Sequence, residues 1–525
     1  AGEPNTLHER LADPAAARAT WPEAAREGQR RFLEGLRALH AAGALDDFEE
    51  SKEDYIGGHG EAPLLLVQGP PGTGKSYTTG FAVFARLQGA LAAGLPFRVM
   101  LACKTHAATD VLLASVASVR EKLRDRAATQ PDIFRRYFDP RLLDVTLFRI
   151  EPSGDLPEGV NALPRDGERE PHLPKAVERI SAHAHCVVAG PPGKVYRILR
   201  DRWEKHFFGH EIFQCLVLDE ASQMNLPEAM MAALALAPDG QVIVVGDHRQ
   251  MPPIVRHDWT AEPRRTFQEY HSYDSLFETL LGLGPLVPVI RFARSFRLHA
   301  DMAEFLRREV YARDGIAYFS ARREVVRVGQ YDDPFVAAVL APEHPIVAII
   351  HDEAESMVRN RYEQQLITPV LEALADPRGL DYGPEKGLGV VVPHRAQRAA
   401  LREEVRCLIR LDPRTGAVAI SAVDTVERFQ GDEREVIVVS ATESDREYLL
   451  AAGEFLLDPR RLTVALSRAK RKMVLVAARS VFTLFSADEE MFANAQLWKN
   501  LLRHTCTTHL WAGERGGHHV EVWGN

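Results

Sequence analysis

Leu64-Leu65-Leu66-Val67-Gln68-Gly69-Pro70-Pro71-Gly72-Thr73-Gly74-Lys75-Ser76 is the stretch on which the fold turns. The apolar run predicts a strand buried on both faces, and Gly69 to Ser76 is a full GxxxxGK[ST] loop leading into a helix. In such a loop the glycines let backbone N–H groups wrap a phosphate, the lysine neutralises β- and γ-phosphate oxygens, and the hydroxyl ligates Mg²⁺. Gly69, Pro70, Pro71, Gly72, Thr73, Gly74, Lys75 and Ser76 are therefore expected to hold a nucleoside triphosphate, with Ser76 on the metal. Gly190-Pro191-Pro192-Gly193-Lys194 looks similar, but it has only two residues between its glycines and no hydroxyl after its lysine, so it is not a second such loop.

Working outward, short apolar runs recur, each followed by a turn and a helix-like segment: Arg98 to Leu101, Cys186 to Ala189, Cys215 to Leu218 and Val242 to Val245 in the first half. Ile346 to Ile350, Gly389 to Val392, Ala417 to Ile420, Val436 to Val439 and Met473 to Val476 follow in the second. This alternation predicts an α/β fold with two tandem parallel sheets. A charged, Pro- and Gly-rich stretch at about 120–175 reads as an inserted subdomain. The expected division is a helical segment over 1–60, a first domain over 61–280 carrying that insertion, a second over 281–485, and a C-terminal tail over 486–525. His504, His509, His518 and His519 with Cys506 lack metal-ligand spacing and read as part of the tail.

Composition narrows the class. The chain has 525 residues, 46% hydrophobic and 26% charged, which excludes a single small module and a disordered chain. With 64 Lys+Arg against 73 Asp+Glu the net charge is −9, so nucleic-acid binding has to be local. Cys103, Cys186, Cys215, Cys407 and Cys506 form no CxxC pair, which argues against a zinc ribbon or disulfide scaffold and for a reducing cytoplasm. The most apolar stretch, Phe81 to Cys103, is broken by Arg86, Pro96 and Arg98, so no membrane partner is expected. The sequence begins Ala-Gly-Glu-Pro without an initiator methionine, which leaves room for a nuclease or another domain outside it.

A phosphate loop needs a metal-holding carboxylate at the end of a neighbouring strand, and Leu216-Val217-Leu218-Asp219-Glu220-Ala221-Ser222-Gln223 supplies one. Asp219 is expected to hold Mg²⁺ and Glu220 to orient and deprotonate the attacking water.

Further along, the motif series resembles superfamily 1 helicases, with two RecA-like P-loop domains. Asp219 to Gln223 is similar to motif II, and Val245-Gly246-Asp247-His248-Arg249-Gln250-Met251-Pro252-Pro253 to motif III. Ser295-Phe296-Arg297-Leu298-His299 is similar to motif IV, Asp424 to Glu433 to motif V, and Arg460 to Lys470 to motif VI. The resemblance implies that Gln250 senses the γ-phosphate, Arg297 and Arg468 act on it as arginine fingers, Phe296 lies against the base and Glu433 reaches the ribose. ATP would then sit in a cleft whose closure drives stepping along a strand. The family's adenine-reading glutamine has one upstream candidate, Gln29, forty residues before Gly69.

The same resemblance implies strand contacts from Thr105 and His106 in motif Ia, Pro252 and Pro253, His394, Arg395 and Gln397 in Val392-Pro393-His394-Arg395-Ala396-Gln397, and Thr425. Its nearest likeness is the 5′→3′ branch that contains the nonsense-mediated-decay helicase and the Okazaki-fragment nuclease-helicase. Lys104-Thr105-His106-Ala107-Ala108-Thr109-Asp110 looks like motif Ia of the latter, which favours single-stranded DNA over RNA. An RNA helicase, or a nucleic-acid-stimulated ATPase switch within a repair or defence assembly, is the alternative.

Overall fold

The computed structural model describes residues 5–165, 174–253, 275–426, 429 and 433–525. Among them, those of Ala1–Gly69, Gly74–His248 and Pro252–Phe292 form one compact unit, and those of Pro70–Thr73, Arg249–Met251 and Ala293–Asn525 a second.

The first unit is built on an eight-stranded sheet. Its strands are β1 (Leu64–Gln68), β2 (Phe97–Cys103), β3 (Thr146–Ile150), β4 (Val160–Leu163), β5 (His185–Ala189), β6 (Phe213–Asp219), β7 (Leu236–Gly246) and β8 (Val289–Arg291), in the order β4-β3-β5-β2-β6-β7-β1-β8. All neighbours pair in parallel. Successive strand residues go to opposite faces, so Leu65, Val67, Val99, Leu101 and Val217 enter one core while Leu64, Leu66, Met100, Leu216 and Leu218 enter the other. A sheet covered on both sides needs apolar residues at every position, which is why these strands read as unbroken runs.

Two expectations about this unit are corrected. The stretch 120–175 is not a separate insertion: its strands β3 and β4 extend the sheet at one edge, and Leu147, Phe148 and Ile150 are buried there. The first unit also reaches past 280, because β8 pairs with β1 through Leu66, Val67 and Gln68. On one face the helix Glu23–Ala41 lies against the helix Lys75–Ala93 at glycine contacts. A Cβ on Gly28 would come within 2.7 Å of the Ala92 Cβ, and one on Gly89 within 2.5 Å of the Ala25 carbonyl, so only glycine permits this approach.

The second unit opens with the short pair β9 (Arg294–Ser295) and β10 (Phe319–Ser320). Its main sheet has seven strands in the order β15-β12-β16-β17-β11-β19-β18. These are β11 (Ile346–His351), β12 (Leu388–Val392), β15 (Val423–Thr425), β16 (Arg434–Ser440), β17 (Ala469–Ala478), β18 (Thr508–Arg515) and β19 (His518–Gly524). The run Ala417 to Ile420 is not in it: β13 (Ile409–Leu411) and β14 (Val418–Ser421) form their own hairpin, with Leu411 and Val418 exposed.

Residues 486–525 are not a tail, and the sheet is not wholly parallel. β19 pairs antiparallel with β11, from Val347↔Gly524 to His351↔Val520, and carries β18 outside it. Val520 and Val522 of β19 enter the core and alternate with His519, Glu521 and Trp523, so the strand has the two-residue period of a sheet covered more fully on one face.

Lys472 on β17 is 1% exposed and donates from Nζ to the Ala341 (2.7 Å) and His344 (2.6 Å) carbonyls. Burial pulls its ammonium down to about 7. The unfolded chain keeps the proton until about pH 10.5, so above pH 7 the unfolded state binds more protons than the folded state and stability rises with pH. Below pH 7 both states are charged and the cost of burying the ammonium is constant. Urea unfolding is expected to show wild type gaining about 1 to 2 kcal/mol between pH 7 and 8.5, a slope that Lys472→Met removes. Equal slopes in both proteins would mean that the lysine stays charged in the fold.

Candidate functional site

The parallel strands of the first unit end on one edge of the sheet, and the connections leaving that edge carry the GxxxxGK[ST] loop and the Asp219-Glu220 pair. The loop after β1 turns through Gly72 at φ +73 and Gly74 at φ +80, then enters its helix at Lys75. The Lys75 ammonium donates to the Gly69 carbonyl at 2.6 Å, which curls the side chain over the loop. The Ser76 hydroxyl donates to Asp219 Oδ2 at 3.0 Å, joining the helix start to the end of β6.

Asp219 is 3% exposed, and burial together with neighbouring Glu220 pushes its carboxyl up to about 6, against the pull of Lys75. Its other oxygen accepts the Glu220 N–H at 2.8 Å. Glu220 has φ +53 and ψ 36, a left-handed conformation that costs a non-glycine residue on the order of 1 kcal/mol. That turn projects the glutamate beside Asp219, where Gln223 Nε2 donates to its Oε2 at 3.3 Å. A hydroxyl and a buried carboxylate whose charge is otherwise disfavoured are the hard oxygen donors that Mg²⁺ takes, so Ser76 and Asp219 fit that ion. Among the described residues no cluster of three or more His, Cys, Asp or Glu forms a separate metal site.

The second unit holds its own constellation. Arg297 Nε donates to Glu433 Oε2 at 2.7 Å, and Lys470 lies 2.7 Å from the other oxygen. Burial alone would raise the Glu433 carboxyl, but the Lys470 hydrogen bond and the Arg297 charge outweigh it and hold it below its usual range. Arg468, 3% exposed, donates to the Gln250 side-chain carbonyl (3.3 Å) and to the Val464 backbone carbonyl (3.1 Å). Phe296 is 44% exposed with the Arg294 guanidinium 4.9 Å over its ring. Arg297, Gln250, Glu433 and Arg468 are thus pre-assembled in pairs. Of the motif V stretch, residues 427, 428 and 430–432, including Gln430 and Gly431, lie outside the described residues.

Gln29 is corrected. It is 1% exposed, accepts from Trp21 Nε1 (3.0 Å) and donates to the Ile56 (2.7 Å) and Gly58 (2.9 Å) carbonyls, so its amide is spent within the fold. The neighbouring Gly28 carbonyl accepts from Gln88, thirteen residues along the helix from Lys75, which at 1.5 Å per residue is about 20 Å from the loop. It ties the segment before β1 to two helices and does not read a base.

Of the expected strand contacts, Thr105 caps the helix His106–Thr129 by accepting from the Ala108 N–H, and His106 lies 3.1 Å from Arg149. Pro252 is half-buried and Pro253 buried. His394 pairs with Glu443 at 2.7 Å, Arg395 is exposed at the first position of its helix, and Thr425 ends β15 largely buried. Gln397 is corrected: it is wholly buried, its carbonyl accepts from the Asn360 N–H and Gln364, and its amide donates to the Asn360 carbonyl and Ser440. It braces the loop after β12 and has no route to a strand.

Sequence reasoning missed Arg149, Glu443 and Lys470. Arg149 left a readable signal, since a buried arginine inside the apolar run Leu147-Phe148-Arg149-Ile150 needs polar partners, which are Asp110 at 2.6 Å and His106. Glu443 left none.

Fold and motif together define a P-loop protein with two tandem RecA-like units. An AAA domain family matches residues 54–256 and a second AAA domain family residues 273–480. The chain is a relative of superfamily 1 helicases, as its motif series implies. It is 25% identical over 88% of its length to the Drosophila melanogaster regulator of nonsense transcripts 1 homolog, covering 36% of that protein. It is 24% identical over 85% to the Saccharomyces cerevisiae ATP-dependent helicase NAM7, covering 42%. With the Mus musculus DNA replication ATP-dependent helicase/nuclease DNA2 it shares 25% identity over 80%, covering 36%. The chain thus spans about a third to two-fifths of these curated relatives. No helix among the described residues is long and apolar enough to cross a membrane.

Proposed function

We propose that the chain is the motor of an ATP-dependent helicase that steps 5′→3′ along single-stranded nucleic acid, with DNA preferred to RNA. The observation that carries this reading is the convergence of Lys75, Ser76, Asp219 and Glu220 on one sheet edge in a chain related to helicases. Lys75 leaves its loop carbonyl for the β- and γ-phosphate oxygens, Glu220 orients water and accepts its proton, and Arg297, Arg468 and Gln250 answer the charge on the γ-phosphate. Phe296 stacks on the base and Glu433 meets the ribose. Mg²⁺, held by Ser76 and Asp219, would supply charge neutralisation on the phosphate oxygens.

Thr105, His106, Pro252, Pro253, His394, Arg395 and Thr425 contact the strand, through groups suited to the phosphate backbone more than to base sequence. The preference for DNA rests on the motif Ia stretch, Lys104 to Asp110, in which Arg149 draws His106 and Asp110 together. Free cysteines suit work in a reducing cytoplasm, beside a nuclease or another partner domain. The test is ATP turnover with single-stranded DNA or RNA of equal length, paired with unwinding of 5′- and 3′-tailed duplexes. DNA stimulation with unwinding from the 5′ tail alone is expected. RNA-only stimulation would overturn the substrate, and DNA stimulation without unwinding would make the protein a switch.

A further inference from the structure

At the sheet edge that carries Thr105 and His106 after β2, the loops after β3 and β5 bring together three charged residues that the site above does not use. Glu151 follows β3, and Lys194 and Arg197 lie in the first turns of the helix Pro192–Trp203 after β5. The Glu151 Oε2 atom accepts from both cations, from Lys194 Nζ and from Arg197 Nη1, the latter at 2.9 Å. The three side chains are 13%, 22% and 32% exposed, so the bridge is half-shielded from water but still reachable. Glu151 has φ +43, in the left-handed region, with its N–H donated to the Leu163 carbonyl at 2.8 Å.

The cluster adjoins the expected strand contacts. Arg149, two residues before Glu151, bonds His106. Burial first, then the charges of Arg149 and Lys194, hold the His106 imidazole below its usual range, while Asp110 and Glu151 pull the other way.

We infer that Lys194 and Arg197 form a binding site for a phosphodiester of the strand, and that Glu151 is the internal anion that fills the site until a strand displaces it. This rests on the reading of the Thr105–His106 edge as the nucleic-acid face. A phosphodiester carries the same single negative charge as the carboxylate and offers the same acceptor oxygens to an ammonium and a guanidinium fork. The exchange gives the two cations a partner of the same charge, and the displaced Glu151 carboxylate, which stays on the chain, opposes the incoming phosphate. Each strand contact here is made against a competitor built into the chain, which weakens the hold on nucleic acid.

The experiment is fluorescence anisotropy with labelled oligothymidylate and oligouridylate at 50 to 200 mM salt. Glu151→Gln is expected to tighten binding about threefold to tenfold and to steepen its salt dependence, because two cations now answer only to phosphate. Glu151→Gly removes the carboxylate and the backbone cost together, so the same gain is expected in a protein that folds at least as well as wild type. Glu211→Gln makes the same change of charge at an exposed position before β6, on the opposite edge, and no gain is expected from it. In a Lys194→Ala/Arg197→Ala background Glu151→Gln should gain nothing.

Unchanged or weaker binding in both Glu151 variants, an equal gain in Glu211→Gln, or a gain that survives loss of the two cations would each overturn the proposal. If inorganic phosphate at matched ionic strength displaced the strand from wild type but not from the Lys194→Ala/Arg197→Ala protein, the site would belong to the free ion. Wild type that binds neither oligonucleotide would remove the nucleic-acid reading itself, and this proposal with it.

Discussion

Glu220→Gln is expected to lower the turnover of ATP by about 10² to 10⁴ while nucleotide binding stays within a few-fold of wild type. The substitution keeps the size of the side chain and the left-handed backbone at φ +53, and it keeps a carbonyl oxygen for Gln223. What it removes is the ability to take a proton. Single-turnover hydrolysis and equilibrium binding of a fluorescent ATP analogue separate the two effects, and hydrolysis within a few-fold of wild type would end the assignment of Glu220 as base. Asp219, buried and pushed up toward 6, is the poorer candidate for that work because its oxygens are already taken by the Ser76 hydroxyl and the Glu220 N–H.

Loss of Arg468 should be as severe. An arginine that answers the γ-phosphate charge is worth about 10³ to 10⁵ in rate, so Arg468→Ala is expected to lose at least 10³ of kcat with little change in ATP affinity. Arg468 is nearly buried and tied to Gln250 and the Val464 carbonyl, so truncation also removes hydrogen bonds and packing that belong to the fold. Arg468→Lys separates the causes: it retains the charge and most of the packing but not the planar fork. Both variants slow with native circular dichroism would fit the finger, and a lysine variant at wild-type rate would reduce the role to charge alone. An alanine variant with unchanged kcat would exclude it.

The phosphate loop and its carboxylates were legible because their chemistry fixes residue type, spacing and order at once. The parallel strands were legible for a related reason, since a sheet covered on both faces tolerates few polar residues and β1, β2, β5 and β6 are almost wholly apolar. Legibility failed where a polar residue serves the fold. Gln29 and Gln397 have the look of binding residues, but both are spent on backbone carbonyls and neighbouring amides, which no spacing reveals. It failed again at β19, where Val520 and Val522 alone carry the apolar signal, and at β3, hidden in a charged stretch that read as an insertion. The salt bridges around Glu151 come from residues more than forty positions apart, brought together only by strand order.

The pairing of β11 with β19 fixes a sequence of events as well as a shape. Strand β11 is complete at His351, yet its second neighbour comes from residues 520–524, about 170 positions later. As a nascent chain leaves the ribosome, β11 has β17 on one side and, on the other, an open row of N–H and C=O groups along Ile346-Val347-Ala348-Ile349-Ile350. Such a bare apolar edge invites pairing with other chains, and closing so long a loop is slow. The second unit therefore depends on its last strand to be shielded from aggregation, and the interval before that strand arrives is when the protein has most need of a chaperone.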